Sequence, residues 1–392
     1  MTEKLKAYPE YKSSGIDWLG EIPSHWSVSK LKHYISISNG SDPSSEGDIP
    51  VYGTGELPFK TCGEFKVGPT VLLGRKGSID TPHWVDGRYW NVDTAFDTKV
   101  IANYSMRYFW YFANILDINP YKSTTAVPSM TQSAYDNMLI PIPLIEEQET
   151  IAAYLDDVTG KVAALIAEKQ KQVKDLRTYR TSLITETVTR GLNPDAPLHH
   201  SGIDWLGDIP EHWILTKAKY YIEIKSGDPI SKDDINPQGT IPIFGGGEII
   251  GFTMMSNVPA QTIIVGRVGA RCGCVRLTEV ESWATDNALI ISTSQNPKYL
   301  TRIFEAANLN RLNESNAQPL ITATKIKDVG IPLPPIDEQQ AIAEFLDEKT
   351  RKIDSLIDEL TKQLDELAEY KKAVITEAVT GKVDVRDWAP KS

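Results

Sequence analysis

Apolar residues in two long stretches of the sequence recur at alternating steps of three and four positions. In the later stretch they are Leu346, Ile353, Ile357, Leu360, Leu364, Leu367 and Val374, and 191 positions earlier they are Leu155, Val162, Ile166, Val173, Leu176 and Leu183. This spacing is typical of a coiled-coil seam and is narrower than the apolar face of a helix that lies on a globular core. It predicts two long helices, over 146–191 and 337–382, that pair as an antiparallel coiled coil. Charged residues interrupt the seam at Lys169, Arg180 and Lys371.

A proline-rich motif precedes each predicted helix. The two copies are Ile140-Pro-Ile-Pro-Leu-Ile-Glu-Glu-Gln-Glu149 and Ile331-Pro-Leu-Pro-Pro-Ile-Asp-Glu-Gln-Gln340. Proline is excluded from helix interiors, so the motif marks a helix start, and Asp337 with Gln340 predicts a capping box. A helix of forty residues is about 60 Å long at about 1.5 Å per residue, which suits a spacer. The alternative is that each helix is only the largest helix of its own domain.

The repeat extends well beyond the helices. Ser14-Gly-Ile-Asp-Trp-Leu-Gly-Glu-Ile-Pro23 returns as Ser201-Gly-Ile-Asp-Trp-Leu-Gly-Asp-Ile-Pro210, and His-Trp follows both copies. Short β-branched runs between turn residues predict strands in both globular parts. The predicted fold class is therefore α+β: two mixed α/β domains separated by the two long helices, with internal pseudo-two-fold symmetry. The predicted limits are 1–145, 146–191, 192–336, 337–382 and a tail over 383–392.

Composition sets bounds on the partners and the compartment. The chain has 392 residues, 41 basic and 52 acidic groups, and a net charge of −11. The second predicted helix carries 12 acidic and 7 basic residues, whereas the first globular part carries 15 and 13. A DNA-binding face must therefore be a local patch. With three cysteines and neither a signal core nor a membrane-length apolar run, we expect a cytoplasmic protein without disulfides, metal or membrane contact.

The paired motifs resemble those of the specificity subunit of type I restriction–modification systems. The resemblance rests on the two Ile-Pro-x-Pro helix starts, the loops Gly74-Arg-Lys-Gly77 and Gly266-Arg-Val-Gly269, and the repeated Gly-Ile-Asp-Trp-Leu-Gly segment. It covers nearly the whole chain, and Leu144 and Glu146 are modest departures from the second copy. The resemblance implies two target recognition domains that each bind one half of a split sequence in double-stranded DNA. It also implies helices that set the gap and dock two methyltransferase subunits, with restriction subunits joining the complex.

Candidate DNA contacts lie in polar loops, because Arg, Lys, Ser, Thr, Asn and Gln reach phosphates and base edges. The candidates are Arg75, Lys76, Ser78, Lys122, Ser123, Thr124, Thr125, Arg267, Arg271, Asn316 and Gln318. Glycines beside the arginines allow close approach of the backbone. The alternative is that these are ordinary surface turns with solvated side chains.

The sequence contains no recognisable catalytic motif. We find neither an Asn-Pro-Pro-aromatic tetrapeptide nor a Gly-x-x-x-x-Gly-Lys-Ser/Thr phosphate loop, and no histidine spacing typical of metal ligands. We therefore expect a non-catalytic subunit without its own cofactor, and the resemblance assigns S-adenosylmethionine, ATP and Mg to the partner subunits. The alternative function is a coiled-coil adaptor that binds only proteins, which the acidic charge favours.

Overall fold

A computed structural model describes residues 6–123, 127–313 and 319–390. The chain divides into two compact units. Unit 1 comprises Met1–Gln170 and Lys362–Ser392, and unit 2 comprises Lys171–Thr361. Each unit therefore contains one half of each long helix, whereas the sequence analysis set the domain limits at the helix ends. Among the described helices, none combines the length and apolar composition that a membrane crossing requires.

Unit 1 contains two larger sheets and two short strand pairs among its described residues. The sheets have the strand orders β6-β5-β10-β7 and β4-β11-β8-β9, and the pairs are β1-β2 and β3-β12. The pairing is antiparallel except between β5 and β10. The bounds are β1 Tyr11–Ser13, β2 Glu21–Pro23, β3 Ser27–Lys30, β4 Ile35–Asn39, β5 Ile49–Tyr52, β6 Lys60–Cys62, β7 Lys66–Val67, β8 Thr70–Gly74, β9 His83–Val85, β10 Arg88–Asn91, β11 Ala95–Val100, α1 Met106–Ala113, α2 Gln132–Asn137, β12 Leu139–Ile142 and α3 Ile145–Arg190.

Unit 2 repeats this arrangement. Its described sheets have the orders β18-β17-β21 and β16-β22-β19-β20, with the pairs β13-β14 and β15-β23. The parallel contact in this unit is between β17 and β21, and β21 is an edge strand because the sheet has only three strands. The bounds are β13 Leu198–His200, β14 Asp208–Pro210, β15 Ile214–Lys217, β16 Ile222–Ser226, β17 Ile241–Gly245, β18 Glu248–Thr253, β19 Ile263–Gly266, β20 Val275–Leu277, β21 Trp283–Ala284, β22 Ala288–Thr293, α4 Pro297–Ala306, α5 Ala323–Lys327, β23 Gly330–Leu333 and α6 Ile336–Val379.

The main core of each unit joins a sheet, a short helix and the long helices. In unit 1, α1 buries Tyr108, Phe109 and Phe112 against residues of β4, β8 and β11 and against α3 and α6. Ser105 caps α1 by accepting a hydrogen bond from the amide of Tyr108. In unit 2, α4 has the same place, with Asn296 as its cap.

The long helices pair in antiparallel directions. In unit 1, Lys169 of α3 donates to the amide oxygen of Gln363 of α6 at 2.5 Å. In unit 2, Arg180 of α3 contacts Asp354 of α6 at 2.8 Å, so the partner number falls as the α3 number rises. All thirteen predicted seam residues are buried or half-buried. The predicted α+β fold class with two paired helices is confirmed.

A buried glutamine fixes the start of each long helix. The side-chain amide of Gln148 donates to the carbonyl of Pro143 at 2.9 Å, and its oxygen accepts from the amide of Ser105 at 2.8 Å. In unit 2, Gln339 makes the same two bonds, with Pro334 and Asn296. The glutamine therefore joins the proline motif, the long helix and the cap of the short helix.

The predicted capping box is wrong. Because α6 begins at Ile336, Asp337 lies inside the first turn rather than at the cap position. The side chain of Gln340 accepts from Asn296 and donates to Glu344 instead. The acidic residues of the first turn still favour the helix, since they lie near the positive end of its dipole.

Histidine and glutamate form a second repeated contact at the helix starts. The Nε2 atom of His25 lies 2.9 Å from the carboxylate of Glu147, and His212 lies at the same distance from Glu338. These partners belong to the long helices, more than a hundred residues away in sequence.

Replacing Gln339 by alanine is expected to lower the free energy of unfolding by about 2–4 kcal/mol. The change leaves the carbonyl of Pro334 and the amide of Asn296 without their partner, and each buried unsatisfied group costs about 1–3 kcal/mol. Urea denaturation would measure the loss. The exposed neighbour Gln340 provides the control, because Gln340→Ala removes only surface hydrogen bonds. Equal losses for both variants would contradict the role of Gln339.

Candidate nucleic-acid interface

The loop that follows β8 is held on both sides by backbone hydrogen bonds. The amides of Arg75 and Lys76 both donate to the carbonyl of Thr94, at 2.8 and 3.2 Å, and the amide of Met130 donates to the carbonyl of Arg75 at 2.9 Å. Gly74 begins the loop, where a Cβ would lie 2.4 Å from the Cα of Ile79. Only glycine fits there, because a side chain would collide with the backbone of Ser78 and Ile79 on the other side of the loop.

The side chains of this loop present accessible positive charge. Arg75 donates to the backbone carbonyl of Asp93 at 3.0 Å, and its guanidinium lies over the ring of Phe96. The carboxylate of Asp93 is 3.8 Å from both Arg75 and Lys76. Since a guanidinium has five N–H donors, Arg75 retains donors for a forked contact. Ser78 is exposed beside them.

Unit 2 builds its arginine loop in the same way. The amide of Arg267 donates to the carbonyl of Asn287, and the carbonyl of Arg267 accepts from the amide of Ile321, both at 2.9 Å. The guanidinium of Arg267 contacts the hydroxyl of Ser226 at 3.4 Å. Arg271 forms an ion pair with Glu248 of β18. Each arginine loop is thus held between two segments. One is the turn that precedes β11 or β22, and the other is the segment that precedes α2 or α5.

The structure brings the second group of candidates in unit 1 close to the first. Ser129 forms isolated bridges with both Lys76 and Ser123, so these two candidates flank one short segment. Lys122 is exposed and donates to the side chain of Asn119 at 2.6 Å. The other candidates Thr124, Thr125, Asn316 and Gln318 lie outside the described residues. The DNA-binding assignments stay predictions.

The sequence analysis missed the hairpins that lie beside the arginine loops. In unit 1 the turn at Thr54 approaches Gly77, and the next residues expose the large apolar side chains of Leu57 and Phe59. In unit 2 the ion pair between Arg271 and Glu248 fixes β18, which exposes Ile249, Ile250 and Phe252. A signal was available in the sequence, because large apolar residues follow Gly53-Thr-Gly55 in the first half and Gly245-Gly-Gly247 in the second. Exposed apolar residues beside fixed cations are typical of a binding surface.

The described residues hold no group of three or more His, Cys, Asp or Glu side chains that could bind a metal ion. One strong shift in acidity has a structural cause. Burial, followed by its hydrogen bond to Glu147, raises the pKa of Tyr8 far above its ordinary value. This pair lies at the start of α3 rather than in an arginine loop.

Comparison with known proteins identifies the family. The model of the type I restriction modification DNA specificity domain matches residues 23–175 and again residues 210–366. Together these ranges exceed half of the chain. The chain belongs to the type I restriction–modification specificity family. Each match contains one arginine loop and the start of one long helix, so the family repeat coincides with the repeat in the sequence.

Two relatives within the specificity family show how far this chain has diverged in sequence. The EcoprrI specificity subunit of Escherichia coli is 24% identical over 368 residues, which are 81% of this chain and 86% of the relative. The MjaVIII specificity subunit of Methanocaldococcus jannaschii is 24% identical over 292 residues, which are 67% of this chain and 66% of the relative. The aligned region thus spans just under two thirds of the second relative. The resemblance found in the sequence is confirmed.

A solved structure has the same fold as this protein. It comes from work on complex assembly and conformational transition of the type I R-M system, and it matches with a TM-score of 0.70. The match covers 91% of this chain and 98% of the solved chain at 16% identity. At that identity the match establishes the fold alone.

Proposed function

We propose that this protein recognises a DNA target made of two separated half-sites, with one unit for each half. The proposal is supported by one observation. Two arginine loops of the same construction occur in two matched units, and the same pair of long helices connects these units. Each loop presents cations on a fixed backbone, which is what recognition of phosphates and guanine edges requires. The two loops differ in sequence, so the half-sites are expected to differ as well.

The protein itself contributes recognition, and its partners contribute the chemistry. We propose that two methyltransferase subunits dock on it to methylate adenine within the target, and that restriction subunits join to cleave unmethylated DNA. S-adenosylmethionine, ATP and Mg then belong to those partners. The exposed acidic side chains of α6 are available for contact with such proteins, because their charge disfavours phosphate.

The alternative, an adaptor that binds only proteins, has weaker support. Its basis is the acidic net charge, and nearly half of the excess acid lies on the second long helix rather than around the arginine loops. A family defined by DNA specificity favours recognition of DNA by the globular parts. An adaptor would also leave two fixed cationic loops without a role.

Methylome sequencing tests the proposal directly. A methylation-free bacterial host would express the chain with its cognate methyltransferase subunit. The expected result is adenine methylation at a motif of two short defined blocks around a gap of fixed length. A stable complex that produces no methylation would contradict the proposal and favour the adaptor.

A further inference from the structure

The short helix of each unit contacts a long helix through equivalent positions. In unit 1, Arg107 and Tyr111 of α1 both contact the carboxylate of Asp156 in α3 at 2.6 Å. The hydroxyl of Tyr111 also lies 3.1 Å from that of Thr159. These bonds fix α1, and the sheet on which it packs, against the start of α3.

Unit 2 repeats this contact 191 residues later. Lys298 and Arg302 of α4 contact Asp347 in α6 at 2.7 and 3.3 Å. Arg302 also donates to the hydroxyl of Thr350 at 3.2 Å. The pattern of contacts in unit 1 is therefore retained, with Arg302 at the position equivalent to Tyr111.

An additional network in unit 2 connects α4 to both long helices. Arg302 contacts Glu305 of α4 at 2.9 Å, and Arg180 of α3 contacts the same carboxylate at 2.6 Å. Arg180 also contacts Asp354 of α6 at 2.8 Å. A single guanidinium thus joins three helices. Although burial raises the pKa of the Glu305 carboxyl, Arg180 and Arg302 outweigh it and hold that pKa below its ordinary value.

Unit 1 has different residues at the equivalent positions. The counterparts of Arg180, Glu305 and Asp354 are Lys371, Asn114 and Ala163. Neither an amide nor a methyl group can form an ion pair with the lysine. The side chain of Asn114 donates instead to the carbonyl of Trp110 within α1. The extended network is therefore a property of unit 2 and not of the repeat.

Arg180 occupies a seam position where an apolar residue would suit helix pairing better. A partly buried ion pair contributes little net stability relative to a well-packed apolar side chain, although its geometry is specific. Arg180 therefore adds one directional bond of 2.6 Å to α4, the helix that packs on the sheet of the arginine loop, and a second of 2.8 Å to α6. Its contribution is orientation rather than stability.

We propose that Arg180 is a positioning residue that fixes the orientation of the second recognition domain on the paired helices, and thereby the gap at which unit 2 binds its half-site. The inference rests on the proposed function. It predicts that loss of Arg180 relaxes the gap without unfolding the protein. Glu305 keeps Arg302 as a partner in such a variant, so no buried charge is left alone.

The experiment compares Arg180→Met with Lys371→Met, the same change at the equivalent position of unit 1. Each variant is assembled with the methyltransferase subunit, and methylation is measured on targets whose gap is one base pair shorter, unchanged or longer. For Arg180→Met, the ratio of gap-shifted to cognate methylation is expected to rise on the order of tenfold, the equivalent of about 1.4 kcal/mol. Lys371→Met is expected to leave the ratio unchanged, and neither variant should lower Tm by more than a few degrees.

Hydrogen exchange provides a readout that does not depend on DNA. The amides of α4 should exchange faster in Arg180→Met, whereas those of α1 should not change in either variant. Arg180→Lys should give an intermediate result, since an ammonium cannot make the forked contact. Unchanged exchange in α4, or equal relaxation of the gap by both methionine variants, would overturn the inference. If the wild type shows no split motif, the proposed function fails and hydrogen exchange alone decides the role of Arg180.

Discussion

The double variant Arg75→Glu/Lys76→Glu is expected to lower the affinity of the assembled methyltransferase for its target by about 100-fold or more. Loss of one forked base contact alone costs about 1–3 kcal/mol, and reversed charge adds repulsion from phosphate. The loop backbone should remain intact, because it is fixed by bonds to Thr94 and Met130 that do not involve these side chains. Titration of labelled duplex at several salt concentrations would measure the effect.

The salt dependence separates a local contact from a general effect of charge. If both cations contact phosphates, the slope of log affinity against log salt should become shallower by about 2, at about 0.9 per contact. A control with the same charge change is Lys32→Glu/Lys99→Glu. These exposed residues lie at the other end of β4 and β11, since Lys99 pairs with Ser36 whereas Ala95 pairs with Gly74. An equal loss of affinity in the control would refute the site.

Periodicity predicted the long helices because it depends only on local spacing. Positions such as Leu155 and Leu346 repeat with the heptad, and both are fully buried. The same reasoning recognised Arg180 as an interruption of the seam. It could not predict the role of Arg180, since the partner Glu305 is 125 residues away in sequence and its contact depends on the tertiary fold.

The starts of the long helices show a second limit of prediction from the sequence. The spacing of Asp337 and Gln340 matches a common cap, and that local signal was misleading. The residue that organises the start is Gln339, whose partner Asn296 belongs to another element. A single sequence does not distinguish a buried glutamine from an exposed one at the next position.

The arginine loops were predicted from the sequence only in part. Glycine beside arginine predicted loops at Arg75 and Arg267 whose backbone allows close approach, and in the structure backbone hydrogen bonds hold both loops in place. Under the proposed function, the bases that they would contact depend on divergent side chains and on DNA shape, neither of which has a local signature. The exposed apolar side chains of Phe59 and Phe252 were missed because large apolar residues in or beside a strand usually indicate core.

Lengthening both long helices by one heptad is expected to lengthen the gap between half-sites by about three base pairs. Both helices pass through the boundary between the units, so an insertion must be made in each to keep the seam matched. Suitable points are after Val173 in α3 and before Leu360 in α6, which lie between the contacts of Lys169 with Gln363 and of Arg180 with Asp354.

The size of the effect follows from helix geometry. Seven residues add about 10.5 Å at about 1.5 Å per residue, and B-DNA rises about 3.4 Å per base pair. A whole heptad returns the apolar seam to the same face, so the pairing of the helices is preserved. Neither half-site should change, because both arginine loops and their supporting segments are untouched.

A one-sided insertion provides the control for this experiment. Seven residues added to α3 alone leave α6 without matching residues, so the seam must shift or loop out, and assembly with the methyltransferase should weaken. Methylome sequencing of the two-sided variant then decides whether the length of the paired helices sets the gap. Methylation at the original gap would show that the paired helices do not set the spacing. Two unchanged blocks around a gap about three base pairs longer would make helix length the determinant of spacing and leave the loops as the determinants of sequence.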